Sequence, residues 1–155
     1  MALTSKLSTE TPIRSPAAKF FNLMARQLHH VQNVCERIHG TELHVGNDWH
    51  SIGDSSVKHW TYVIDGKVVT CNETIDVIDE QKYLVIFNLF DGDISKNYKI
   101  FKLGFQVSDN NNAKGASVNW TVEYEKINDG VEAPYGYMEY LDKGTQEIDA
   151  YLLKA

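Results

Sequence analysis

Hydrogen-bonding side chains set among large apolar ones are the chemically most informative feature of this sequence. Tyr62, Tyr83, Tyr137 and Tyr140 each carry a phenol, and each has an apolar residue next to it. A buried phenol needs a hydrogen-bond partner, and ligand pockets are typically apolar with a few such polar groups. These tyrosines therefore predict a pocket that holds an apolar molecule by surface burial and orients it through one or two hydroxyls.

Groups capable of acid-base or nucleophilic catalysis are present but form no recognisable constellation. Glu73 and Lys102 fall on strand-like segments, where most charged side chains face solvent, so a structural role is favoured for both. No Gly-x-Ser-x-Gly elbow is present, and the segment 46–53 lacks the Gly-Lys-Ser or Gly-Lys-Thr ending of a phosphate loop. We therefore assign no catalytic residue and expect no cofactor.

Metal and disulfide chemistry are also disfavoured. The six histidines show no zinc-site spacing with matching cysteines or carboxylates, although His44 and His50 could approach each other in space. Cys35 and Cys71 are expected to be reduced, because the first residues have no basic region followed by an apolar run, as a secretory signal would. These features predict a cytoplasmic protein without a metal site.

Composition and charge limit which class of protein this is and which partners it could bind. A chain of 155 residues with 43% hydrophobic residues suits one globular domain spanning 1–155. A net charge of -6 without a cluster of lysines and arginines argues against nucleic acid, and no apolar run is long enough to cross a bilayer. The expected partner is a hydrophobic small molecule.

The N-terminal third predicts a strand and two short helices. Residues 3–13 alternate in polarity as in a strand, and Ser15 with Pro16 then forms a helix-start signal with Ser15 as the capping residue. Apolar residues from Ala17 to Leu28 recur at helical spacing, and a second short helix is possible over 30–34.

The middle of the chain reads as a series of antiparallel strands separated by polar turns. Asp65-Gly66 is the signature of a tight hairpin, and the last strand alternates apolar and polar residues throughout its length. The six predicted strands cover 38–45, 57–64, 67–78, 83–90, 98–107 and 116–125.

The pattern changes to helical spacing after Pro134. Tyr137, Leu141 and Gly144 begin a stripe that continues to Leu152, which predicts a helix of about five turns. An α+β fold follows, in which this helix covers the apolar face of the sheet. Glycine inside a helix costs close to 1 kcal/mol relative to alanine, so we expect Gly144, together with Gly136, to leave space between helix and sheet.

The inward faces of the strands and the helix stripe define the predicted ligand site. Composition alone also allows a solid aromatic core, and the tyrosine hydroxyls favour the cavity over that alternative. The predicted ligand-binding residues are Met24, Trp60, Tyr62, Tyr83, Val85, Phe87, Phe101, Leu103, Phe105, Trp120, Tyr137, Tyr140, Leu141 and Gly144.

Several segments together resemble the major latex protein-like members of the plant family that includes the birch pollen allergen and the class-ten pathogenesis-related proteins. The resemblance covers essentially the whole chain. It is carried by the segments VKHWTYVIDGK at 57–67, FDGD at 90–93, WTVEYEK at 120–126, PYGY at 134–137 and IDAYLLK at 148–154.

This resemblance implies a helix-grip fold: a seven-stranded antiparallel sheet around a long C-terminal helix, with two short helices closing one end of an internal apolar cavity. It also implies a cytoplasmic protein, a monomer or weak homodimer, that carries or buffers a sterol, fatty acid, terpenoid, flavonoid or hormone and is linked to defence and stress responses. The alternative is a cofactor-free cyclase or isomerase acting on a reactive terpenoid or alkaloid intermediate. Ribonuclease activity, a third class among the proteins that the chain resembles, is disfavoured by the acidic charge.

Overall fold

A curved sheet that grips a long helix forms the framework of the molecule. The computed structural model describes residues 3–110 and 114–154, and within them the sheet has seven antiparallel strands. The elements in chain order are β1 Thr4–Ile13, α1 Ala17–Arg26, α2 Val31–Val34, β2 Ile38–Val45, β3 Val57–Ile64, β4 Lys67–Asp79, β5 Leu84–Phe90, β6 Tyr98–Asp109, β7 Ala116–Lys126 and α3 Tyr135–Lys154.

The strand order is that of a meander closed by the first strand. The order β1-β7-β6-β5-β4-β3-β2 places β2 to β7 beside their chain neighbours, and β1 pairs with β7 along its whole length from Thr4 to Ile13. The α+β helix-grip architecture predicted from the sequence is therefore confirmed, including the long C-terminal helix and the two short helices.

The alternating strands and the amphipathic helices bury one continuous core. On β7 the residues Ala116, Val118, Trp120, Val122 and Tyr124 are all buried, while the residues between them are at least partly exposed. This two-residue period matches the pleat of a strand that has one face on the core.

The start of α1 differs from the sequence prediction. Pro16, and not Ser15, is the N-cap residue, and the hydroxyl of Ser15 is buried without a hydrogen-bond partner among the described residues. The N–H of Ala17 donates instead to the carboxylate of Asp109, at 2.9 Å, at the end of β6. The prediction of Ser15 as the cap was wrong because a carboxylate distant in sequence takes that role.

The loop between β2 and β3 is attached to the short helices. The Nε2 atom of His50 accepts a hydrogen bond from the backbone N–H of Leu28 at 3.1 Å, and Ile52 forms an isolated bridge with Ile75 of β4. Gly46 has φ +85°, and a Cβ there would collide with the backbone of Ser55, so the turn requires glycine. The loop therefore has a defined position beside the helices that close the sheet.

None of the helices in the described ranges combines the length and the apolar character needed to span a bilayer.

Candidate functional site

A cavity of about 100 Å³ lies between the concave face of the sheet and α3. The strands β3 to β7 form its floor, α3 forms its roof, and α1, α2 and the start of β2 close one side. The inner surface of the sheet and the facing stripe of α3 thus do not meet completely.

Ten of the fourteen residues predicted to contact a ligand line this cavity. They come from α1, from four of the strands and from α3, so residues distant in sequence converge on one space. The ten are Met24, Trp60, Tyr62, Phe87, Leu103, Trp120, Tyr137, Tyr140, Leu141 and Gly144.

The other four predicted residues pack elsewhere and do not line the cavity. Tyr83 lies in the turn before β5, with φ 52°, and its ring packs on Phe21 of α1 with centroids 5.3 Å apart. Val85, Phe101 and Phe105 face inward but are fully enclosed by their neighbours. Their alternation gave the correct face of the sheet, but α1 and the start of α3 already cover those parts of it.

Sequence analysis missed the cavity residues contributed by the segment between the end of α1 and the start of β2. Leu28, Val31, Cys35 and Ile38 all line the cavity. The apolar spacing of Leu28, Val31 and Cys35 could have indicated an inward helical face, although a four-residue helix gives a weak signal.

Two of the three tyrosine hydroxyls in the cavity wall, those of Tyr62 and Tyr137, are paired with each other. The hydroxyls of Tyr62 and Tyr137 are 2.5 Å apart, and both rings are buried. Burial raises the pKa of both phenols well above the usual value, so both stay protonated at neutral pH. The polar groups predicted at these two positions therefore exist, but they are largely satisfied within the protein.

A second internal chain of hydrogen bonds joins the sheet to the helix. The indole N–H of Trp120 donates to the hydroxyl of Thr145 at 2.8 Å, and that hydroxyl donates to the carbonyl of Leu141 at 2.7 Å. This chain fixes the Trp120 ring against α3 and satisfies its donor without a ligand.

A buried ion pair forms part of the wall, which sequence analysis did not anticipate. Lys58 on β3 is completely buried, and its Nζ atom lies 2.9 Å from Oε2 of Glu73 on β4. The indole N–H of Trp60 donates to Oε1 of the same carboxylate at 3.1 Å. Glu73 lines the cavity and does not face solvent, which corrects the earlier expectation for this residue.

Burial and charge act in opposite directions on this carboxyl group. Burial raises the pKa of Glu73, and the neighbouring ammonium of Lys58 and the Trp60 N–H oppose that increase. The sequence did contain a signal, because Cys71, Glu73 and Ile75 alternate on β4 and all three are buried. Lys102, the other predicted acid-base group, pairs with Asp76 on the partly exposed surface and lies outside the cavity.

The two helix glycines have different roles. Gly144 lines the cavity, and a Cβ there would lie 3.7 Å from the sulfur of Cys35, which is an ordinary contact. Gly136 lies outside the cavity. The space where its side chain would be is taken by the carboxylate of Asp65 in the β3–β4 turn. The expectation that Gly136 leaves space above the sheet was therefore wrong.

The partly exposed side of the cavity, which we call the mouth, is formed by Arg37, Tyr140, Gly144 and Glu147. One ion pair and one hydrogen bond hold it in place. The guanidinium of Arg37 lies 2.6 Å from a carboxylate oxygen of Glu139. The carboxylate of Glu147 accepts a hydrogen bond from the backbone N–H of residue 36 at 3.2 Å. These contacts hold α3 to the α2–β2 connection beside the mouth.

The histidines and cysteines form no metal site in the residues described. No group of three or more potential metal-binding side chains occurs among residues 3–110 and 114–154. His44 stacks on His59, with ring centroids 4.9 Å apart, and does not pair with His50. Cys35 and Cys71 are both free and buried.

Comparison with known proteins gives full-length matches. Residues 2–155 match the model of the "Pathogenesis-related protein Bet v 1 family". MLP-like protein 31 of Arabidopsis thaliana is 37% identical over 153 residues, which cover 98% of this chain and 88% of that protein. The crystal structure of ginseng major latex-like protein 151 from Panax ginseng superposes with a TM-score of 0.89 at 32% identity, covering 98% of this chain and 99% of that one.

Proposed function

The chain belongs to the pathogenesis-related protein Bet v 1 family as a major latex protein-like member, and we propose that it carries or buffers an apolar plant metabolite in the cavity under α3. Proteins of this family bind hydrophobic ligands in general. The observation that carries the proposal for this chain is the cavity between sheet and helix, whose wall is mainly aromatic and aliphatic.

The size of the cavity bears on the class of ligand. A volume of about 100 Å³ is below the roughly 300–1,000 Å³ usual for small-molecule sites. A compact ring compound needs little rearrangement, since an apolar cavity of about 150 Å³ in another protein accommodates benzene. A sterol, fatty acid or flavonoid requires the side chains at the mouth to move apart. Among the ligand classes considered, we therefore favour a compact terpenoid or a small aromatic hormone.

Burial of apolar surface supplies most of the expected affinity, at about 25 cal/mol per Å². Because Tyr62 and Tyr137 already hydrogen-bond each other, their phenols contribute less to orientation than the sequence suggests. The role in defence and stress responses is proposed from the family resemblance. A single domain over residues 1–155, a monomer or weak homodimer, remains part of the proposal.

We also propose a cytoplasmic location. Cys35 and Cys71 are both free thiols, as expected in a reducing compartment. Burial raises the pKa of each thiol to about 12, so neither is a reactive thiolate at neutral pH. The two cysteines therefore act as small apolar parts of the cavity wall, where both are located.

An isomerase or cyclase is the second candidate, and one observation favours it. Glu73 is a buried carboxyl group with a raised pKa that faces the cavity, which is the environment of many general acids and bases. Incubation with terpenoid or alkaloid intermediates separates the two functions. A product ratio that differs from the protein-free reaction and returns to it in Glu73→Gln would favour catalysis, whereas binding without turnover would favour a carrier.

Mass spectrometry of the apolar compounds extracted from protein purified from plant tissue tests the carrier function. We expect one compound class to be enriched over a protein-free extract, and a fluorescent apolar probe to bind the stripped protein and to be displaced by that class. An unenriched extract together with no probe binding would contradict the proposal.

A further inference from the structure

The ion pair of Lys58 and Glu73 presents only one of its partners to the cavity. Glu73 is among the residues that line the cavity, whereas Lys58 is not and is completely enclosed by protein. The Nζ atom of Lys58 contacts Oε2 of Glu73 at 2.9 Å and has Ser56 Oγ at 3.5 Å on its other side. A guest in the cavity therefore meets the carboxylate, with the ammonium behind it.

The Glu73 carboxylate retains unused capacity to accept hydrogen bonds. An ionised carboxylate offers about four acceptor positions. Oε1 accepts the N–H of Trp60 at 3.1 Å, and the ammonium of Lys58 lies 2.9 Å from Oε2, so each oxygen faces one donor group in the described part of the chain. A carboxylate that faces two donor groups still has open acceptor positions, so a ligand that supplies a further donor gains free energy from a hydrogen bond to a charged group.

We propose that Glu73 anchors the polar end of the ligand, and that this end is a neutral hydrogen-bond donor, a hydroxyl or N–H group, on an otherwise apolar ring system. This inference rests on the proposed function, since it requires that the cavity bind a guest. It assigns the ligand a polarity that neither the aromatic wall nor the family resemblance specifies.

The charges around Glu73 exclude other polar ends. A carboxylate or phosphate ligand would face the Glu73 carboxylate, and Lys58 is shielded behind it. A cation would gain little, because the ammonium of Lys58 already balances the charge of Glu73 at 2.9 Å. A neutral donor avoids both costs and completes the hydrogen bonding of the carboxylate.

The other polar groups of the cavity are weaker anchors. The phenols of Tyr62 and Tyr137 are bonded to each other at 2.5 Å. The hydroxyl of Thr145 accepts from Trp120 and donates to a backbone carbonyl. At the mouth, Arg37 pairs with Glu139, Glu147 accepts the backbone N–H of residue 36, and Tyr140 offers a neutral phenol. Away from the mouth, Glu73 carries the only charge among the cavity-lining residues of the described ranges and keeps free acceptor positions.

Indole and benzofuran form a suitable pair of probes, because they have nearly the same shape and differ in whether the ring heteroatom carries a hydrogen. Benzofuran carboxylate is the third probe and adds an anionic end. Dissociation constants are measured by NMR titration at pH 7. A hydrogen bond to the charged carboxylate predicts that indole binds roughly ten times more tightly than benzofuran, or better, and that the anion binds most weakly.

Two variants locate the origin of that preference. The double variant Lys58→Met/Glu73→Leu replaces the pair by apolar side chains, and we expect the preference for indole to fall to about one. Glu123→Gln is the matched control, because Glu123 is a partly exposed carboxylate on β7, paired with Lys6 outside the cavity. It should keep the full preference.

The titrations separate this inference from the function on which it rests. Equal binding of indole and benzofuran by the unmodified protein would overturn the inference and leave the carrier function standing, and this comparison needs no variant to fold. Tightest binding of the carboxylate, or a preference that persists in the double variant, would also overturn it. Binding of none of the probes would count against the proposed function itself.

Discussion

Replacement of Lys58 by methionine tests whether the ion pair in the cavity wall is as buried as the structure indicates. Lys58 is 0% exposed, Glu73 is 3% exposed, and their charged atoms lie 2.9 Å apart. Removing one partner of such a pair leaves a buried charge uncompensated, which costs about 3–5 kcal/mol. We expect Lys58→Met to lower the free energy of unfolding at pH 7 by that amount, measured by urea denaturation.

The loss of unfolding free energy in Lys58→Met should become smaller as pH falls. Burial raises the pKa of Glu73, and Lys58 opposes this increase, so the variant should raise the pKa further. A carboxyl group whose pKa is higher in the folded state than in the unfolded state destabilises the fold when it is ionised. This penalty is complete above the folded pKa and disappears as pH falls below the unfolded pKa. The deficit of Lys58→Met relative to the unmodified protein should therefore shrink as pH falls from 8 to 5.

The double variant Lys58→Met/Glu73→Leu is the control for lost packing. Without either charge the site should be as stable as the original, or more stable by about 1–4 kcal/mol, because apolar side chains of similar volume avoid the desolvation penalty. A loss of about 1 kcal/mol or less in Lys58→Met, where about 3–5 is expected, would refute the reasoning. A deficit that stays constant between pH 8 and pH 5 would refute it as well.

Three further predictions concern the cavity, the loop and the helix anchor. Gly144→Phe should abolish indole binding by filling the mouth, whereas Gly144→Ala should keep binding and stabilise α3 by up to about 1 kcal/mol, as titration and thermal melting would show. Burial lowers the pKa of His50, whose Nε2 atom accepts a hydrogen bond from the N–H of Leu28. The stabilising effect of the neutral His50 ring is therefore present above the pKa of the unfolded state and is lost as pH falls through the pKa of the folded state. The drop in melting temperature from pH 7 to pH 5 should be smaller in His50→Gln than in the unmodified protein. The carboxylate of Asp149 accepts hydrogen bonds from the backbone N–H groups of Ser15 and the preceding residue, at 2.9 Å each. Asp149→Ala should therefore lower the free energy of unfolding by roughly 2–4 kcal/mol, measured by urea denaturation, and Asp149→Asn should lower it less.

The sheet could be predicted because each strand alternates and each turn has its own residue signal. The limits of β2 and β3 agree with the predicted limits, 38–45 and 57–64. Tyr83 was placed on β5 because it continues the alternation, but its φ of 52° puts it in the preceding turn. Alternation reports which way a side chain faces and does not report where a strand begins.

The cavity was only partly predictable, because its position on the inner face depends on what covers each part of that face. Phe105 and Leu103 have the same orientation on β6, yet Phe105 is covered by α1 and Leu103 lines the cavity. Glu73 was assigned to the surface because charged strand residues usually face water. Its burial depends on Lys58, fifteen positions earlier, which the hairpin brings directly opposite it.

Intermolecular NOEs between indole and methyl-labelled protein test most directly whether the space under α3 accepts an apolar guest. Contacts are expected with the methyl groups of Met24, Leu103 and Ile148, which approach the cavity from α1, β6 and α3. Contacts limited to the outer face of the sheet, at Val77 and Ile86, or no contacts at all, would contradict the account.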